Sequence, residues 1–132
     1  MGLKRVAVVA TYPKEASAAF SDFLGEFGVS VVAMRYLGAI DGYAASEIPG
    51  DQIIAAAREI DVPEAEGLVI PDTALPSLAI IDPLEKQLGK PVLTANQVTI
   101  WEGLRLADAL RKQPDLGLGR LLAPSESLTL NA

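Results

Sequence analysis

The sequence predicts a single α/β domain built as an open parallel sheet with helices on both faces. Short runs of β-branched and apolar residues recur without polar alternation, segments with helical periodicity lie between them, and 132 residues suit one domain. Strands that alternate with helices form parallel sheets through right-handed crossovers. We therefore expect a three-layer, flavodoxin-like unit over residues 1–112 and an irregular tail over residues 113–132.

Four segments are predicted to be strands buried on both faces of the sheet. The first is the clearest, because Val6 to Ala10 contains no polar residue. The predicted strands are residues 5–10, 29–34, 67–70 and 91–93.

The helical predictions depend on apolar residues spaced three or four positions apart. They give helices over residues 14–27, 51–60, 74–88 and 97–111. In the first helix the apolar stripe consists of Ala16, Phe20, Phe23, Leu24 and Phe27. Gly28 and Gly89 end the first and third helices, while Pro76 must stand in the first turn of the third and Pro83 should kink it. Residues 35–49 form a long connection, of a length that is often functional.

Composition excludes several kinds of chemistry. The chain contains no cysteine and no histidine, so it cannot build a Cys/His zinc site, an iron–sulfur site, a thiol nucleophile or a Ser-His-Asp triad. We predict no metal site, and no glycine-rich phosphate or dinucleotide motif joins a strand to a helix. Seventeen acidic residues against eleven basic ones give a net charge of −6, which argues against nucleic acid as a partner.

The hydropathy pattern bears on location and association. The N-terminus lacks the apolar run of a secretory signal, and no segment approaches the roughly 20 apolar residues of a membrane span. We therefore predict a cytoplasmic protein with no membrane contact. A mean hydropathy of +0.30 is high for a small domain and favours a buried association face.

Polar residues follow each predicted strand where that strand ends. In open parallel sheets ligands bind beyond the carboxyl ends of the strands, so these residues form the candidate site. They are Thr11, Tyr12, Tyr36, Asp41, Asp72, Thr73, Thr94, Asn96 and Gln97.

Asp72 and Thr73 follow the third strand and are predicted to open a helix. The amides from Thr73 onward could hold a substrate carboxylate while Asp72 acts as a general base. Either residue could instead only cap the helix, since both are preferred N-cap residues. Both interpretations stay open at this point.

Two further candidates have similar alternatives. Thr11 and Tyr12 offer hydroxyl groups to an anionic ligand, or Tyr12 packs on a loop while Pro13 starts a helix. Asn96 could offer its amide to the same crevice or cap the helix that begins at Gln97.

Three segments carry a family resemblance: residues 68–75 (LVIPDTAL), 81–97 (IDPLEKQLGKPVLTANQ) and 101–107 (WEGLRLA). They are similar to the second half of the maleate cis–trans isomerases and arylmalonate decarboxylases of the Asp/Glu racemase superfamily. The similarity extends over residues 4–122, and its most specific part is the second segment together with the Trp and Leu-Arg of the third.

The resemblance implies two flavodoxin-like halves, a site in the cleft between them, one cysteine from each half and no cofactor. Asp72 falls at the position of the second-half cysteine, and Thr73 matches a threonine whose amide binds a substrate carboxylate. Tyr12 matches a carboxylate-binding tyrosine, and Asp41 falls where an Asp-Asn pair is common. Since the cysteine is replaced, covalent isomerisation is not expected.

Two functions follow from these observations. The first is cofactor-independent proton transfer alpha to the carboxylate of a small maleate, malonate or amino-dicarboxylate type of ligand, with Asp72 as acid–base. The ligand-binding residues would be Thr73, Tyr12, Thr11, Asp41 and Asn96. The second is a non-catalytic interaction or ligand-binding module. A phospho-acceptor receiver domain is set aside, because Thr11 and Tyr12 stand where its acidic pair would hold Mg²⁺.

The resemblance also predicts a partner chain. Either a complementary half-chain or a second copy of this chain would supply the missing half of the cleft. In a homodimer the same surface is used twice, and the two Asp72 carboxylates would face each other.

Overall fold

The computed structural model describes residues 1–112 and 114–124. Its strands are β1 Arg5–Ala10, β2 Ser30–Tyr36, β3 Gly67–Ile70 and β4 Val92–Thr94. Its helices are α1 Lys14–Glu26, α2 Gly42–Ser46, α3 Gly50–Glu59, α4 Leu78–Leu88 and α5 Ala95–Leu106, followed by a 3₁₀ turn at Leu110–Lys112. Within these ranges no helix is both long enough and apolar enough to cross a membrane.

The four strands form one parallel sheet in the order β2-β1-β3-β4. Helices α3 and α4 pack on one face of the sheet, where Ala7, Leu68, Ile70 and Val92 form the larger core. On the other face α1 packs on β2 and α5 on β4, and the smaller core there is built on Val6, Val8 and Ala10 of β1. The predicted α/β fold with helices on both faces is confirmed.

The first helix buries only part of the apolar stripe predicted for it. Ser17 is buried, and Phe20 and Leu24 pack on β1. Phe23 and Phe27 of the predicted stripe are instead exposed and contact each other, with ring centroids 5.0 Å apart. Because apolar residues occur around most of this helix, their spacing alone does not identify the buried face.

The third predicted helix begins late, at Leu78 instead of residue 74. Asp72 Oδ1 accepts the N–H of Ala74 at 2.8 Å, and Asn96 Nδ2 donates to the carbonyl oxygens of Thr73 and Leu75 at 3.1 and 3.4 Å. These side-chain bonds satisfy backbone groups that a helical turn would otherwise pair, so residues 74–77 form a loop. The expectation that Asp72 or Thr73 opens or caps a helix is therefore wrong.

Three further features differ from the prediction: an additional helix, the residue that caps α5, and the residue at which α5 ends. The connection over residues 35–49 contains the short helix α2, with the Asp41 carboxylate accepting the N–H of Ala44 at 2.8 Å as its N-cap. Helix α5 is capped by Thr94, which forms a capping box with Gln97, so Asn96 is not the cap. The helix also ends at Leu106, five residues before the predicted end.

Residues 114–124 contain no helix or strand and return to the body of the domain. Both Glu85 carboxylate oxygens are used: Oε1 accepts the N–H of Val92 and Oε2 that of Arg120, each at 2.9 Å. Gln97 Nε2 donates to the carbonyl of Leu118 at 2.6 Å, and Leu122 is buried. Of the predicted irregular tail, residues 113 and 125–132 lie outside the described residues.

We expect Gly119→Ala to lower the free energy of unfolding by about 3 kcal/mol. Gly119 has a φ of +79°, and a methyl group there would overlap Cγ2 of Ile81. Gly117 is the matched control, because its φ is +63° but no atom lies within 4 Å of the place that a Cβ would occupy. Gly117→Ala should cost only about 1 kcal/mol of backbone strain. Urea denaturation compares the two variants, and equal losses would contradict tight packing at Gly119.

Candidate functional site

The site is assembled by the pairing of two neighbouring parallel strands. Val8 of β1 is in register with Val69 of β3, so the residues that follow the two strands meet at one edge of the sheet. There Thr11 Oγ1 donates a short hydrogen bond to Asp72 Oδ2. Thr11 is fully buried and Asp72 is only 6% exposed. The structure thus holds one carboxylate, nearly removed from solvent, in a fixed orientation.

Both Asp72 oxygens have donors. Oδ2 receives the Thr11 hydroxyl, and Oδ1 receives the backbone N–H of Ala74. A buried carboxylate is tolerated only when its desolvation is offset by such bonds. Asp72 therefore has a structural role in the loop over residues 71–77 whatever chemistry it performs.

Tyr12 stands beside this carboxylate. Its phenol donates to the carbonyl oxygen of Pro71 at 3.0 Å. Burial of the ring, and secondarily the negative charge of Asp72, raise the pKa of the Tyr12 phenol above its ordinary value. The phenol is thus a hydrogen-bond donor at neutral pH, and a ligand that uses it must compete with Pro71.

The segment after β2 closes over the same strand end. The N–H groups of Gly38 and Ala39 donate to the carbonyls of Tyr12 and Thr11 at 3.1 and 2.7 Å. Gly38 has a φ of +73°, which only glycine adopts without strain. These bonds tie the connection that carries α2 to the edge of the sheet where Asp72 lies.

The remaining predicted site residues are less directly involved in the contacts around the Asp72 carboxylate. Thr73 follows Asp72 in the chain and is exposed. Asn96 donates its side-chain hydrogen bonds to backbone carbonyls of the loop over residues 71–77. Asp41 is exposed, and its carboxylate is engaged as the cap of α2. Helix α2 nevertheless begins near the loop, because a Cβ on Gly42 would lie 3.5 Å from Cβ of Ala74.

Ser77 is a residue that sequence reasoning missed. It is fully buried at the end of the loop, immediately before α4, and among the described residues its hydroxyl has no hydrogen-bond partner. An unpaired buried hydroxyl is costly and is uncommon in folded proteins. The only signal in the sequence is a serine between Pro76 and the first helical residue.

The acidic side chains of the described residues are not clustered. Among residues 1–112 and 114–124, no three aspartate or glutamate side chains lie close enough together to hold an ion. The arrangement offers one carboxylate and several hydroxyl and amide donors. That set suits binding of an anion and movement of a proton.

We expect Asp72→Asn to keep the fold and Thr11→Val to weaken it. The asparagine Oδ1 can still accept from Ala74, and its Nδ2 can donate to the Thr11 hydroxyl, which also accepts. The loss of stability should stay below about 1 kcal/mol. Thr11→Val has nearly the same shape but leaves a buried carboxylate oxygen without its donor, which should cost about 2 kcal/mol. Thermal or urea unfolding at neutral pH measures both, and the reverse order of the two losses would refute the bonding scheme.

The raised pKa of Tyr12 predicts an alkaline loss of stability. Because the folded-state pKa lies above the unfolded one, the neutral phenol is favoured in the fold. This contribution is complete below the unfolded pKa of about 10 and disappears as the pH rises through the folded pKa. Tyr12→Phe should therefore flatten the decrease of unfolding free energy as the pH rises above the unfolded pKa of about 10. Tyr43, which is 77% exposed, is the control, and Tyr43→Phe should keep the wild-type decrease.

Comparisons with known proteins agree with the resemblance found in the sequence. A family model described as arylmalonate decarboxylase matches residues 1–122. A maleate isomerase of Nocardia farcinica is 33% identical over 127 residues, which are 96% of this chain and 50% of that protein. The arylmalonate decarboxylase of Bordetella bronchiseptica is 26% identical over 127 residues, 95% of this chain and 52% of that protein.

Solved structures show the same relationship. The maleate isomerase of Pseudomonas putida S16 with maleate superposes with a TM-score of 0.87 at 29% identity, covering 94% of this chain and 49% of that one. The chain thus spans about half the length of the relatives it matches. Since the family model covers nearly all of the described residues, the chain belongs to the arylmalonate decarboxylase family.

Proposed function

We propose that this chain provides a cofactor-independent acid–base site that transfers a proton at the carbon alpha to the carboxylate of a small acid. The observation that carries the proposal is the buried, oriented carboxylate of Asp72 at the carboxyl edge of the sheet, beside the phenol of Tyr12. Membership in a family of isomerases and decarboxylases supports the reaction class.

The absence of cysteine limits which reaction the chain can perform. A solved C194S mutant of the maleate cis-trans isomerase of Nocardia farcinica holds a covalently bound succinylcysteine intermediate. This chain contains no cysteine, and a carboxylate is a poor nucleophile toward a carbon–carbon double bond. Proton transfer needs only a base of suitable position, which Asp72 can supply. Malonates and amino-dicarboxylates, which carry an acidic α C–H bond, are therefore the preferred substrate class.

The proposed step uses the chain's own groups. One Asp72 oxygen takes the α proton, and the electron pair of the broken C–H bond passes into the substrate carboxylate to give an enediolate. Donors beside Asp72 would stabilise the negative charge that develops on the substrate oxygens. The candidates are the Tyr12 phenol and the Thr73 amide. Asp72 exchanges this proton with solvent and then returns a proton to the same carbon, so no redox partner is needed and a substrate incubated in D₂O gains deuterium at the α position.

The surrounding loops favour a small ligand. The start of α2 approaches the loop over residues 71–77 so closely that a Cβ on Gly42 would be in van der Waals contact with Ala74. Thr11 has no free donor for substrate while it binds Asp72, so we assign it to orienting the carboxylate. Asn96 orients the loop in the same way. Asp41 is the least suited of the expected ligand residues, since a second carboxylate would repel a bound acid.

A second function has its own supporting observation. Both Asp72 oxygens are already hydrogen-bonded, which is what a purely structural carboxylate requires. Under this alternative the site binds a small carboxylate through Tyr12 and Thr73 without reaction. The chain would then be a ligand-binding or interaction module of the family.

Isotope exchange separates the two functions. Aspartate, glutamate and methylmalonate are incubated with the protein in D₂O, and the loss of the α-proton signal is followed by NMR. For an active site we expect exchange above the protein-free rate for at least one of these acids. Asp72→Asn should reduce the catalysed exchange by about 10²-fold or more, the usual contribution of a general base. It should leave binding, measured by chemical-shift titration, within about tenfold of wild type.

The matched control is Asp22→Asn, which makes the same change on an exposed position of α1. It should leave both binding and exchange unaltered. Binding without exchange would favour the non-catalytic module, and no binding of any of the acids at millimolar concentration would contradict both functions for this chain alone.

A further inference from the structure

An apolar groove runs along the face of the sheet that α1 and α5 share. Helix α1 packs on β2 and helix α5 on β4, and between them lies a groove of about 610 Å³ over Val6, Val69 and Leu93. None of the sixteen residues that line it has a charged side chain. The groove is thus a surface without charged side chains on a chain whose net charge is −6.

The two faces of the sheet are buried unequally at β3 and β4. Leu68, Ile70 and Val92, which point toward α3 and α4, are at most 2% exposed. Val69 and Leu93, which point into the groove, are only half-buried. Parallel sheets are normally covered on both faces, so a further element is expected over this groove.

Helix α5 carries apolar side chains that the described residues, 1–112 and 114–124, leave exposed. Gln97 in the first turn is its only buried residue. Val98 and Ile100 are 40% and 44% exposed, and Leu106 is 73% exposed. A helix attached mainly at one end, with apolar side chains free along the rest, is suited to packing against another surface.

The two charged side chains of α5 neutralise each other, which suits burial in a groove without charged side chains. Its only ionised residues are Glu102 and Arg105, and both Arg105 nitrogens that contact Glu102 lie 2.7 Å from its carboxylate oxygens. Because they pair with each other, the helix can be buried without leaving a charge unpaired. A partner with a net charge along its contact surface would form no ion pairs with the side chains of this groove.

We propose that the groove accepts α5 of a second copy of this chain, with the same contact made twice around a two-fold axis. Val98, Thr99 and Trp101 form one wall of the groove, so an antiparallel pair of α5 helices places each helix over the other copy's sheet. The groove residues and the exposed remainder of α5 approach the roughly 20–30 residues that one side of a stable interface contributes.

The second copy would also border the acid–base site. Pro71 and Thr94 are among the residues that line the groove, and the Pro71 carbonyl accepts the hydrogen bond of Tyr12. The helix seated in the groove would therefore lie near this hydrogen bond. The contact itself is argued from the groove and α5, so it does not depend on the proposed function.

The experiment is sedimentation velocity of the full chain and of two matched variants at micromolar concentration. We expect the wild type to sediment as a particle of twice the chain's mass. Val98→Glu places a charge in the groove wall and should weaken dimerisation at least about 100-fold. Phe27→Glu makes the same kind of change at a residue of α1 that is 68% exposed and lies outside the groove, and it should remain dimeric. Circular dichroism checks that both variants are folded.

Salt and cross-linking give independent readouts. Two chains of net charge −6 repel, so dimerisation through a neutral surface should strengthen as salt is added. Since the chain has no cysteine, Ile100→Cys introduces a single thiol at the middle of α5. A flexible bis-maleimide should link two such chains, while Phe27→Cys should give no linked dimer.

Three results would overturn the proposal. They are a monomer at every concentration, a dimer that Val98→Glu leaves intact, and a monomer whose groove is filled only by a complementary half-chain of different sequence. The isotope exchange of the proposed function is measured separately on the same samples. A catalytically active monomer would thus refute the dimer and leave the acid–base site standing.

Discussion

The hydrogen bond between Thr11 and Asp72 is the contact on which the candidate site depends. Sixty-one positions separate the two residues in sequence, and they meet only because β1 and β3 are neighbours in parallel register. A carboxylate that is nearly excluded from water needs donors, and Thr11 and Ala74 supply them. The loop over residues 71–77 owes its shape to the second of these bonds. Sheet order, loop conformation and site geometry are therefore consequences of one another.

The strands and the location of the site could be predicted because their signals are local. Apolar runs identify β1 and β3, and ligands collect at the carboxyl edge of a parallel sheet, which is enough to place Thr11 and Asp72 at the same edge. The order of the strands is not needed for that inference. It requires only that both strands point the same way.

The errors arise where a side chain far along the chain decides local structure. Residues 74–77 have helical spacing, yet Asn96 holds the carbonyls of Thr73 and Leu75 from another element. The inward side of α1 is set by where β1 lies and not by the number of apolar residues on each side. Helix α2 is five residues long, too short to show a period. Ser77 gives no signal at all, because an unpaired hydroxyl is defined by what surrounds it.

Thr94 lies between helix α5 and the end of β3, from which the loop over residues 71–77 departs. It ends β4 in register with Ile70 of β3, two positions before Asp72, and its side chain caps α5 in the reciprocal bonds with Gln97. Helix α5 therefore begins beside the strand end from which the loop over residues 71–77 departs. If the proposed ligand binding at Asp72 responds to the tilt of this helix, then by thermodynamic linkage a bound ligand acts on the helix with equal strength. The proposed dimerisation through α5 and the proposed ligand binding at Asp72 would then be thermodynamically coupled.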